Sequence, residues 1–144
     1  MNDINYTKAI QLLENCSTSN GFIASAQNTA NYKRVWARDG VICGLAALAS
    51  GDESLIKTFK NTLSTLANNQ HKNGTIPSNV LLAEKEVTVS YGGLAGRVDA
   101  VTWFIIGVLT MTTFNSLVQG DYGWAAVGAF FVWTNYKLRN VRLT

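Results

Sequence analysis

A chain of 144 residues is the size of one ordinary domain, long enough to bury about two-thirds of its unfolded surface. With 47% hydrophobic and 15% charged residues, one proline and 12 glycines, the composition is globular and excludes a disordered or collagen-like chain. A net charge of +3, split between Lys33, Arg34 and Arg38 in one place and Lys137, Arg139 and Arg142 in another, forms no basic stripe and excludes a nucleic-acid partner.

Residues 1–14 are polar and lack the apolar core of a signal peptide, which predicts a cytoplasmic, reducing setting for the N-terminal part. Ile4–Asn15 is predicted helical, with Tyr6, Ala9, Ile10 and Leu13 at helical spacing. Residues 17–31, rich in Ser, Thr, Asn and Gly, read as loop around a short buried stretch at 21–24. Residues 39–50 are almost purely apolar and small and are stopped by Gly51, the pattern of a core helix. Cys16 and Cys43 make no disulfide framework, and Cys43, among Val41, Ile42, Leu45 and Ala46, reads as a buried thiol.

Asp52 is a good cap for the next helix, in which Leu55, Ile56, Phe59, Leu63, Leu66 and Ala67 recur at three and four. A turn at 71–74 follows, left in extended form by residues 76–79. Residues 87–91 fit either a short strand or an extended loop ending at Gly92-Gly93.

From Asp99 onward only Asp121 interrupts an uncharged span that ends at Lys137. Residues 100–118 are nearly long enough to cross a bilayer, and 122–136 form a shorter apolar run after the turn Gly120-Asp121. Trp124, Trp133 and Tyr136 near the ends, with Lys137, Arg139 and Arg142 beyond, suit membrane flanks. Thr110, Thr112, Thr113, Asn115, Ser116 and Gln119 suit two buried helices of a water-soluble core instead. Both readings stand on the sequence, and membrane contact through 100–136 is one expectation.

Three segments place polar groups next to glycines and helix ends. In 32–40, Arg38 and Asp39 stand at the mouth of an apolar helix with the ring of Trp36 nearby, either as a sugar-gripping pair or as a cap with a surface ion pair. Residues 73–79 on their own are a loop. In 90–99 a glycine-rich loop that includes Tyr91 feeds a helix free of other charge, with Asp99 in its first turn and Trp103 one turn later on the same face. Cleavage of a glycosidic bond uses two carboxyl groups across the scissile bond, so Asp99 is a candidate general acid. A first-turn Asp favoured by the helix dipole explains the same residue without chemistry.

In order and wording, Val35-Trp36-Ala37-Arg38-Asp39-Gly40, Gly74-Thr75-Ile76-Pro77-Ser78-Asn79 and Gly96-Arg97-Val98-Asp99 with Thr102-Trp103-Phe104-Ile105-Ile106 resemble glycosidases of the amylo-alpha-1,6-glucosidase (glycogen debranching) type and the related neutral and alkaline invertases. The resemblance covers about residues 1–108. It implies an all-α fold, the incomplete N-terminal part of an α/α toroid of six helical hairpins, followed over 109–144 by an apolar helical hairpin that has no counterpart in the family. It implies Asp99 as the catalytic acid, and Trp36, Arg38, Asp39, Tyr91 and Trp103 as residues binding an α-linked oligosaccharide or sucrose-like substrate. The second carboxylate belongs to the family's later half, which nothing in this chain matches, so a truncated or fused form is expected. No metal or organic cofactor is implied, the single histidine, His71, falling in a turn. Half a toroid would expose apolar faces, which predicts self-association. A chain from another class fits the same sequence, a membrane-associated hairpin protein at the inner membrane whose glycosidase-like part is inactive.

Overall fold

The computed structural model describes residues 4–27, 32–83, 86–92 and 98–121. Along them run α1 (Ile4–Asn15), β1 (Ser17–Thr18), β2 (Gly21–Phe22), β3 (Val35–Trp36), α2 (Ala37–Ser50), α3 (Glu53–Asn68), β4 (Asn79–Ala83), β5 (Glu86–Ser90) and α4 (Val98–Val118).

The strongest local pattern gives the central helix. The Asp52 carboxylate accepts the Leu55 N–H at 3.0 Å, satisfying one free donor of the first turn of α3. The buried face of α3 carries Leu55, Ile56, Phe59, Leu63 and Leu66 at the spacing of one helix face. Three threonines share that face, and they have work there. The Thr62 hydroxyl accepts the Phe22 N–H at 2.9 Å and donates to the Thr58 carbonyl, while the Thr65 hydroxyl donates to the Asn20 carbonyl at 2.7 Å. A ribbon of β1 and β2, too short to satisfy its own backbone, is thereby tied to α3.

Helix α2 begins two residues earlier than the sequence pattern suggests. Val35 and Trp36 are extended and Ala37 opens the helix, so Trp36 is the N-cap residue, without a side-chain capping bond, and Asp39 lies inside the first turn. Gly44 sets the distance between α2 and α3, because a Cβ there would fall within the Phe59 ring. Cys43 is only half-buried, whereas Cys16 is buried; the apolar neighbours of Cys43 in sequence point around the helix rather than all toward it.

An all-α fold is not what forms. Alongside the helices, β1 and β2 pair antiparallel, and β3, β4 and β5 make a second antiparallel sheet in that order. Val35 faces Val80 and Trp36 faces Asn79, while β4 and β5 pair from Asn79 with Ser90 to Ala83 with Glu86. A bridge from Ile23 to Val35 joins the N-terminal ribbon to this sheet. The α/α toroid is overturned for a physical reason: Val35-Trp36, Val80 and Val87-Thr88-Val89 are β-branched and aromatic residues with no helical period, and their backbone groups satisfy one another across strands. The expected loop at 17–31 likewise contains β1 and β2.

Helix α4 turns one stripe inward, with Ala100 and Met111 buried, Gly107 buried between them, and Phe104 and Phe114 partly buried against the core. These positions step by three or four residues, as packing against α2 and α3 demands. The change in sequence character at residue 108 falls within this helix, which runs on to Val118 and ends at Gly120 and Asp121. The second apolar run, 122–136, lies outside the described residues.

Candidate functional site

Strand β3 runs directly into α2, which fixes the first turn of that helix against the sheet: the Ala37 N–H donates to the Ser78 carbonyl at 3.0 Å, and the Ser78 N–H to the Ser90 carbonyl at 2.7 Å. The N-terminus of α4 arrives beside that of α2. From the first turn of α2, Arg38 donates through Nη1 to Asp99 Oδ2 at 3.3 Å, and its Nε lies 3.9 Å from Asp39 Oδ1. One guanidinium therefore stands between two carboxylates, each in the first turn of its own helix, where negative charge is favoured. The side chains are 48% (Arg38) and 40% (both acids) exposed, so the pairs are worth no more than about 1 kcal/mol to stability and are open to competition from a ligand.

Trp36, Ala37, Arg38, Ser78, Asp99 and Ala100 enclose about 10 Å³ at this junction, room for a single water-sized molecule. Trp36 also lines a larger cleft of about 350 Å³ with Tyr32, Arg34, Asn79 and Ser90, at the small end of the range of small-molecule sites. The indole is thus the wall between the charged junction and a volume that can hold a ligand.

Trp36, Arg38, Asp39 and Asp99 come together, and with them Ser78 from the segment that reads on its own as a plain loop. Asp99 is not a lone acid in apolar surroundings, since Arg38 partners it. Trp103 packs against the hydrophobic core, and Tyr91 acts as a fastener: its hydroxyl donates to the Asn69 carbonyl at 2.8 Å and its ring meets His71 edge-on at 5.3 Å. The His71 ring in turn lies 2.8 Å from Asn73 Oδ1 within the turn. Residues 93–97, which lead into α4, lie outside the described residues.

Tyr32, Arg34, Asn79 and Ser90 are the cleft residues that sequence reasoning missed. No local pattern marks them: Tyr32 and Arg34 lie in a turn and bend before the two-residue β3, and Asn79 and Ser90 come together only by pairing across the sheet. The thiol of Cys43 is not a nucleophile at neutral pH: burial, with Cys16 and Asp39 adding to it, pushes it up to about 11. Among the described residues no three metal-binding side chains cluster.

Comparison of the chain with family models, with curated proteins and with solved structures returns no match.

Proposed function

We propose that the junction of α2 and α4 is the charged end of a sugar site of the glycoside hydrolase kind, acting on α-glucosidic bonds of an oligosaccharide or a sucrose-like substrate. The observation that carries this reading is the bond from Arg38 to Asp99, which joins two segments 61 residues apart beside an aromatic wall. The same segments carry the sequence resemblance to the amylo-alpha-1,6-glucosidase and invertase families. The reading rests on this site and not on a shared fold.

In this reading Arg38 and Asp39 hold hydroxyls of the innermost sugar, and Trp36 packs against its face. Substrate draws Arg38 toward itself and Asp39, and Asp99, relieved of its cation, takes a proton from solvent and passes it to the leaving glycosidic oxygen. Water attacks the anomeric carbon from the opposite face, and a second carboxylate takes its proton; the resemblance places that group in a later half of the family's chain, with no counterpart in residues 1–144. Hydrolysis of an aryl α-glucoside by the full chain and by Asp99→Asn tests the assignment. A loss of about 100-fold is expected, within the span of general acid catalysis. Equal rates would remove Asp99 from the chemistry, and a parent that neither turns over the glucoside nor shows a tryptophan fluorescence change with maltose would remove the site.

Helix α4 favours a second reading. Asp99–Val118 is long and apolar enough to cross a membrane, and only 11% of that stretch is buried. The hydroxyls of Thr110, Thr112 and Thr113 each donate to carbonyls three or four residues back in the helix, so they need no water. In this reading α4 enters the inner membrane, the part before it stays cytoplasmic, and the sugar site is inactive. Release of the chain from membranes by an alkaline carbonate wash without detergent would sink it.

A further inference from the structure

Arg34 and Arg38 are one helical turn apart in sequence and face opposite situations. Arg38 has two carboxylates. Arg34 has none within ion-pair distance among the described residues, which include every acid of the sequence except Asp3 and Glu84. Its guanidinium is nevertheless held in place. Nη1 donates to Asn79 Oδ1 at 3.1 Å; Asn79, 4% exposed, donates through Nδ2 to Ser78 Oγ at 3.2 Å; and Ser78 Oγ donates to the Ser90 carbonyl at 2.9 Å. The Arg34 Nε is buried without a hydrogen-bond partner among the described residues, a costly state for a charged donor. A buried polar chain thus fixes a cation that has no carboxylate partner among the described residues, at the wall of a cleft of about 350 Å³. The rings of Tyr32 and Trp36 line the same cleft.

A fixed guanidinium with no carboxylate partner among the described residues calls for an oxyanion, and rings lining the same cleft call for a flat or sugar-like face beside that oxyanion. We infer that the cleft of Tyr32, Arg34 and Trp36 binds an anionic sugar, a pyranose bearing a carboxylate or phosphate oxyanion that pairs with Arg34. This rests on the proposed sugar site, whose Trp36 it shares, and narrows its substrate class from neutral to acidic glycosides.

Binding to the full chain, followed by tryptophan fluorescence, separates the outcomes with glucuronic acid, glucose 6-phosphate, glucose, maltose and inorganic phosphate as probes. At least one of the two acidic sugars is expected to bind tenfold or more tighter than glucose, with an affinity that falls as salt is raised while that of maltose does not. Which of the two binds better tells a uronate site from a sugar-phosphate site. Arg34→Gln is expected to abolish the preference and the salt dependence, and Arg34→Lys to restore them in part; should neither variant fold, the salt dependence of the parent decides alone. Maltose binding at least as well as both acidic sugars would overturn the inference and leave the sugar site standing. Phosphate binding as tightly as either acidic sugar would also overturn it, as a bare anion site. No binding of any probe would overturn both.

Discussion

Helices α3 and α4 are the two longest in the described chain and are built on opposite plans. Helix α3 divides its residues sharply, with Leu55, Phe59, Leu63 and Leu66 inward and Lys57 and Lys60 outward. Helix α4 is apolar on every side, yet it buries a single stripe and leaves Ile105, Leu117 and Val118 exposed. The difference teaches that apolar content does not decide burial. What decides it is whether the opposite face is polar, because only then is one orientation in water much better than the rest. A helix without a distinct polar face gains from any cover, and among the described residues α4 is covered on one side only.

Three substitutions break or sharpen this contrast, the largest effect first. Phe59→Ala empties the contact between α3 and α2 and is expected to cost about 3–5 kcal/mol in urea unfolding, enough to unfold a marginal domain. Gly107→Ala probes the inward stripe of α4. Its Cβ would lie 2.8 Å from Leu63 Cδ2 and 2.9 Å from Val41 Cγ2, and because the β-branched valine cannot swing away the net cost is expected to be about 1 kcal/mol, after the gain in helix propensity. Ile105→Lys lies two residues away, on the face that is 48% exposed, and the urea midpoint is expected to stay within the equivalent of about 0.5 kcal/mol. A loss at Ile105 as large as at Gly107 would mean that the outer face of α4 is covered too.

The same contrast runs through the charged residues. Arg38 and Asp39 stand side by side in the sequence and announce themselves as a pair. Arg34 looks like one more basic residue in a polar run, and only its place just before β3, bonded to buried Asn79, makes it a fixed charge in a cleft. Tyr91 and Trp103 show the reverse. Their sequence positions suggest rings for a sugar, and the structure uses one to tie β5 to the end of α3 and the other to fill the core. An aromatic residue serves packing and ligand contact with the same surface, so its type alone does not separate the two.

Local chemistry made α1 and α3 legible in the sequence, along with the Asp52 cap and the stop at Gly51, since a period of three to four and a side chain reaching its own neighbouring amides act within one or two turns. The sheet was not legible in the same way. Strand β3 is two residues long and pairs with β4 more than 40 positions away, and β4 is held between β3 and its neighbour β5. Nor does any local pattern state that Arg38 meets Asp99 or that Ser78 closes the space between them; the fold alone brought those three segments to one point. The sequence by itself determined which stretches would be helices and which residues could carry charge to a site. The tertiary structure decided which of those charges are paired and that Arg34 faces a cleft without a carboxylate among the described residues, because pairing depends on contacts between distant segments that no local periodicity encodes.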